Sequence, residues 1–147
     1  MSQLIKHVTM LAEFDHNSNI SKYHKWFKQT AKLYTNVNKN ESLKLSKHAI
    51  IKQCFSNCLK LAFRHKNLEY IDGYTFSLIP LEHAFLINNN NEVIDPTLAI
   101  NCGEFKDRYG SEYYGIKIPK DILKILKLNK NRYTPLTYLY WEYMNKP

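Results

Sequence analysis

The sequence predicts an α+β domain, because its hydrophobic period changes twice along the chain. Residues 21–34 and 43–64 carry apolar side chains at helical spacing, and residues 68–97 carry β-branched and aromatic residues in short runs broken by turn formers. Helical spacing returns beyond residue 119. At 147 residues and 17.5 kDa the chain can bury one core without metal or disulfide staples. No linker or internal repeat divides it, so a single domain over 1–147 is expected.

The elements follow in chain order. After an irregular start, "SKYHKWFKQTAKLY" (21–34) puts Tyr23, Trp26, Phe27 and Ala31 on one helical face with lysines on the other, and Ser18 or Ser21 can cap it. "TNVNKNES" (35–42) is a polar break. In "LKLSKHAIIKQCFSNCLKLAFR" (43–64) the second half repeats at i, i+3, i+4 and i+7 through Phe55, Cys58, Leu59 and Ala62. Pattern leaves open whether that helix starts just before Cys54 or runs through from Ser42.

Strands are expected over "LEYIDGYTFSLIP" (68–80) and "EHAFLI" (82–87), with Gly73 and Pro80 as punctuation. "NNNN" (88–91) closes a hairpin without glycine, since asparagine enters the left-handed region more readily than most residues. "EVIDPT" (92–97) is the return strand, ended by Pro96. One or two helices follow, around "PKDILKILKL" (119–128) and "TPLTYLYWEYM" (134–144), each segment with proline near its start.

Composition narrows the class. Hydrophobic residues at 44% and aromatic residues at 14% exclude a disordered or fibrous chain. A net charge of +8 permits an acidic partner, nucleic acid included, although the lysines are scattered as on a solvated surface rather than gathered in one run. Three cysteines in no framework spacing point to a reducing compartment. Glu13 and Asp15 interrupt the apolar stretch that follows Lys6 and His7, and no apolar run approaches membrane-spanning length. A cytoplasmic protein without membrane attachment is expected.

Chemistry concentrates in the hairpin. With a loop of Asn88–Asn90, Ile87 opposes Asn91, Phe85 opposes Val93 and His83 opposes Asp95, so imidazole and carboxylate share a face. A one-residue slip would set Asp95 opposite Ala84 instead. A carboxylate beside a histidine fixes its tautomer and leaves the far nitrogen free to take a proton. Cys54 at a helix start would be the nucleophile, its thiolate favoured by the helix dipole and an imidazolium partner.

Each residue alone has a plainer reading: Cys54 as a small buried side chain, His83 as a core histidine, Asp95 as a turn former. Their combination carries the expectation. Cys58, one helical turn beyond Cys54, is assigned to the core, and Glu82 to the opposite face from His83. Zinc binding by Cys54, Cys58, Cys102 and His83 is the competing chemistry, disfavoured because the close cysteine pairs of structural zinc sites are missing. The stripe of Tyr133, Tyr138, Tyr140, Trp141 and Tyr143 reads as core or interface before it reads as a base-stacking surface. Tyr113 and Tyr114 line a cleft or a core.

The segments "QCFSNCLKLA", "YIDGYTF", "EHAFLI" and "VIDPT" resemble the transglutaminase-like branch of the papain-type cysteine hydrolases over about residues 50–97. That pattern has a cysteine at a helix start, a "GY" strand, a strand with "HAW" and a return strand ending in "DPT". Small bacterial and phage proteins of this pattern are similar too. The resemblance implies a transglutaminase-like α+β fold with the cysteine helix packed on an antiparallel sheet. It implies Cys54 as nucleophile, His83 as base and Asp95 as orienting acid, acting on an amide or peptide bond of a protein or peptide substrate without a cofactor. Phe85 replaces the usual tryptophan. Gln53 and the Cys54 N–H are the candidate oxyanion donors. The alternatives are a non-catalytic basic binding protein of the same fold that contacts nucleic acid or a protein, and a phage inhibitor of a host enzyme that works by binding.

Overall fold

The structure is a computed structural model that describes residues 2–14, 18–100, 109–129 and 134–146. Asp15, Cys102 and Tyr133 lie outside the described residues. The described helices and strands form an α+β arrangement on a five-stranded antiparallel sheet. In chain order they are α1 (Gln3–Glu13), α2 (Asn19–Thr30), β1 (Lys32–Tyr34), α3 (Lys39–Leu45), α4 (Cys54–Arg64), β2 (Glu69–Phe76) and β3 (Pro80–Ile87). Then come β4 (Val93–Ile94), α5 (Pro96–Ala99), β5 (Glu112–Lys117), α6 (Lys120–Leu126) and α7 (Leu136–Met144). The strands lie in the order β1-β5-β2-β3-β4. No helix among the described residues is long and apolar enough to cross a membrane.

The N-terminal region departs from expectation. The start is helical rather than irregular, because Leu4, Val8 and Ala12 form an apolar stripe at i, i+4 and i+8 and the Ser2 hydroxyl caps the Ile5 N–H. The next helix is capped by Ser18, whose hydroxyl accepts from the Ser21 N–H at 3.0 Å. It ends at Thr30, and Lys32–Tyr34 turns away as an edge strand on β5.

The ambiguity before Cys54 is resolved as two helices. Helix α3 and a 3₁₀ turn (Ser46–His48) end at Ala49, Lys52 takes the left-handed conformation with φ 62°, and α4 begins at Cys54. Its buried residues Cys54, Cys58, Leu61 and Ala62 pack with Tyr70, Ala84, Leu86 and Ile94 of the sheet. Each large apolar side chain so buried contributes about 1.5–3 kcal/mol.

The β3–β4 hairpin also differs from expectation. Ile87 pairs with Val93 and Leu86 with Ile94, a register two residues away from the one the apolar matches suggested. The loop therefore spans five residues, 88–92. Asn88 closes it: its Oδ1 accepts from the N–H groups of Asn90 and Glu92, both at 3.0 Å, and its Nδ2 donates to Glu92 Oε1 at 3.0 Å. Asn91 supplies the left-handed residue, with φ 57°. An even shift preserves side-chain parity, so Asp95 stays on the same side as His83, displaced diagonally.

Pro80 opens β3, and Pro96 opens α5 rather than merely ending a strand. Strand β5 had no assignment in the sequence reading. Tyr113 and Tyr114 alternate across it, Tyr113 packing with Ile71, Phe85, Ile87 and Val93, and Tyr114 with Leu4, Val8, Tyr23 and Phe27. Both belong to the core.

Candidate active site

Cys54, His83 and Asp95 lie together where the start of α4 meets β3 and the end of β4. Cys54 is the first residue of α4, and Gln53 before it makes no side-chain capping hydrogen bond. The peptide N–H groups of this first turn carry the partial positive charge of the helix start. Gln53 itself is exposed. It sits at one end of a groove of about 440 Å³ that runs along the outer side of α4 past Phe55, Leu59 and Phe63 to Lys127.

His83 Nε2 lies 2.8 Å from Asp95 Oδ2. An ionised carboxylate can only accept, so the ring carries its hydrogen on Nε2 and presents Nδ1 to the other side. Cys54 also acts on this ring, favouring its protonated form. Desolvation pulls the imidazole's proton affinity down, but the charge of Asp95, its hydrogen bond and the Cys54 contact outweigh it. Together they raise His83 to about 10. The exposed fractions are small, 9% for Cys54, 6% for His83 and 0% for Asp95, so these interactions are screened little by solvent.

Asp95 is held by more than the histidine. Its Oδ1 accepts from the Leu98 N–H at 3.1 Å, capping α5, and its own N–H donates to Ser42 Oγ at 2.9 Å. Ser42 in turn donates to the Asn38 carbonyl at 2.7 Å. The Tyr113 hydroxyl donates to Asp95 Oδ2 at 2.8 Å and accepts from the Gly110 N–H at 3.1 Å. Strands β5 and β4 are three strand spacings apart, about 14 Å on a flat sheet, so this contact requires the sheet to curl.

The loop in front of Cys54 is fixed from inside. Asn57 Oδ1 accepts from the Ile50 N–H at 2.9 Å, while its Nδ2 donates to the Ile50 carbonyl at 2.8 Å and to Thr97 Oγ1 at 2.9 Å. One amide thus joins the approach to α4, α4 itself and the helix that Asp95 caps. Cys58 is fully buried within the core. Burial pushes its thiol well above the usual range, and the charges of Asp95, Cys54 and Asp72 add to that effect.

Sequence reasoning did not anticipate Ser42, Asn57 or Thr97 as site residues, and placed Tyr113 only at a cleft or core. The one available signal was "DPT", whose threonine meets Asn57. Glu82 points away toward a separate hollow of about 320 Å³ with Tyr23, His24, Tyr74 and Tyr138. No family model matches the chain, and no curated protein and no solved structure matches it significantly.

Proposed function

We propose that the protein is a cysteine-dependent hydrolase or acyltransferase of transglutaminase-like fold, acting on an amide or peptide bond through Cys54, His83 and Asp95. The observation that carries this reading is one buried ring that answers to both a carboxylate and a thiol. His83 has Nε2 on Asp95 at 2.8 Å and interacts with Cys54, which stands at the start of an eleven-residue helix whose N-cap makes no side-chain hydrogen bond.

In this mechanism Cys54 and His83 rest as a thiolate–imidazolium pair steadied by Asp95, the proton that would sit on the thiol being held by the ring. The thiolate sulfur forms a bond to the carbonyl carbon, and the carbonyl oxygen becomes an oxyanion. The Cys54 N–H is the first donor for that oxygen, and Gln53 the adjacent side-chain candidate. Collapse expels the amine, which takes its proton from His83. Water, or a second amine, then gives a proton to His83 and attacks the thioester, returning Cys54 as a thiolate beside the imidazolium.

The test is the rate of Cys54 alkylation by iodoacetamide from pH 4 to 9, read by peptide mass spectrometry in the full chain. A free cysteine peptide and Cys58 serve as references, with His83→Ala alongside. Cys54 is expected to react faster than the free peptide below pH 7 and to lose that advantage in His83→Ala. Equal rates in the two proteins at every pH would end the hydrolase reading.

A further inference from the structure

Asp95 Oδ2 receives two hydrogen bonds of equal length, 2.8 Å from His83 Nε2 and 2.8 Å from the Tyr113 hydroxyl. The carboxylate is fully buried, and among the described residues these are the two side chains that donate to that oxygen. The two donors share one pool of negative charge, so the strength of one bond limits the other.

The direction of the tyrosine bond is fixed by a second contact. The Gly110 N–H occupies the phenol oxygen as an acceptor at 3.1 Å, which commits the hydroxyl hydrogen to Asp95. Burial, followed by the charge of Asp95 and their hydrogen bond, holds the Tyr113 phenol well above its ordinary range, so it stays a donor wherever the site works. The ring is locked by packing: its centroid is 5.0 Å from that of Phe85 and 6.3 Å from that of His83. Gly110 is buried, and a Cβ there would overlap the Thr75 hydroxyl, so the segment that orients the phenol has no room for a larger residue.

We propose that Tyr113 is a positioning residue of this site: its hydroxyl draws off part of the Asp95 charge and so sets the pH at which His83 releases its proton. The inference deepens the hydrolase reading and rests on it for its catalytic meaning. The ionisable groups around the pair are Cys54 and Cys58 from α4, Asp72 and Tyr70 from β2, and Tyr113 from β5. Tyr70 gives its hydrogen bond to Asp72, at 3.3 Å, so Tyr113 is the phenol acting on Asp95. Without it the carboxylate would act on the imidazolium undivided. His83 would then keep its proton to higher pH and return it to a leaving group less readily.

The experiment follows the His83 ring by NMR across a pH titration of the full chain, with the resonance assigned from His83→Gln. At the pH where the wild-type imidazole is half protonated, Tyr113→Phe is expected to be about nine-tenths protonated, a rise of about one pH unit in the midpoint. Replacing Tyr113 with 4-aminophenylalanine restores a neutral donor and should bring the midpoint back toward wild type. Tyr114→Phe, whose hydroxyl bonds the Lys28 carbonyl at 3.2 Å, controls for loss of a neighbouring phenol and should leave the midpoint in place. An unchanged or lowered midpoint in Tyr113→Phe would overturn the inference, as would a 4-aminophenylalanine protein that behaves like Tyr113→Phe. Failure of the hydrolase reading appears elsewhere, as a Cys54 alkylation rate indifferent to His83→Ala, and involves no Tyr113 variant.

Discussion

Asn57 and Ile50 exchange two hydrogen bonds, the Asn57 amide accepting from the Ile50 N–H at 2.9 Å and donating to its carbonyl at 2.8 Å. A single buried side chain therefore does for the 50–53 segment what a strand partner would do. It holds the chain in the turn that ends with Cys54 at a helix start.

Removing that amide should be costly. Asn57→Ala leaves the Ile50 N–H and Thr97 Oγ1 short of a partner, while the Ile50 carbonyl keeps the Gln53 N–H at 3.2 Å, and is expected to lower unfolding free energy by about 1–3 kcal/mol. Thr97→Val removes one bond alone and should cost about 1 kcal/mol. Urea denaturation measures both, and an Asn57→Ala protein within half a kcal/mol of wild type would mean that the turn is held by other contacts.

Gly73 marks a second sensitive position. A Cβ there would overlap the Tyr114 carbonyl oxygen and lie 2.6 Å from Gly115 Cα and 2.9 Å from Phe27 Cζ. Two of these three neighbours are backbone and cannot rotate away. Gly73→Ala should destabilise the sheet by about 3 kcal/mol despite alanine's better strand propensity. A melting temperature equal to wild type would show that β2 and β5 can separate to admit a methyl group.

These two positions also mark what the sequence made legible. Side-chain period recovered α2, α4, β2, β3, α6 and α7, and the parity argument for His83 and Asp95 survived an error in register because the error was even. Register itself was illegible: the asparagines permit several loop lengths, and the choice of 88–92 is made by bonds from the Asn88 side chain to residues two and four positions on. Strand β5 was hidden because adjacent tyrosines facing opposite cores read as an unpatterned aromatic pair. Ser42 and Asn57 gave no signal, since a polar residue within a helical pattern looks solvent-facing until tertiary packing buries it.

The His83–Asp95 pair should leave its mark on stability as a function of pH. The folded state holds the His83 proton to about 10, whereas an exposed histidine releases it near its ordinary value of about 6.5. Between those values the folded state binds more protons than the unfolded state, so unfolding free energy falls as pH rises. The contribution is complete below the ordinary histidine value and is lost on passing about 10. Accordingly, the stability gap between wild type and His83→Gln should narrow from pH 6.5 to 10 in urea titrations. A gap that widens over that range would mean that His83 is held neutral by its surroundings.

Asp95→Asn separates the two jobs that Asp95 performs. As a helix cap, an asparagine Oδ1 can still accept from the Leu98 N–H, so α5 and the packing of Thr97 on Asn57 should persist. Toward His83 and Tyr113 the substitution is not neutral, because an amide nitrogen would face two donors where an oxygen had faced them. If the amide turns to offer its oxygen to His83, the Leu98 cap is lost, and if it does not, the imidazole must change tautomer and give up the nitrogen that the proposed mechanism assigns to Cys54. Either outcome damages thiol activation far more than folding. Cys54 reactivity at neutral pH should fall by a factor on the order of 10² to 10⁴, while unfolding free energy drops by no more than about 2 kcal/mol. Parallel alkylation and denaturation measurements decide it: reactivity retained alongside a large stability loss would make Asp95 a helix cap that happens to touch a histidine.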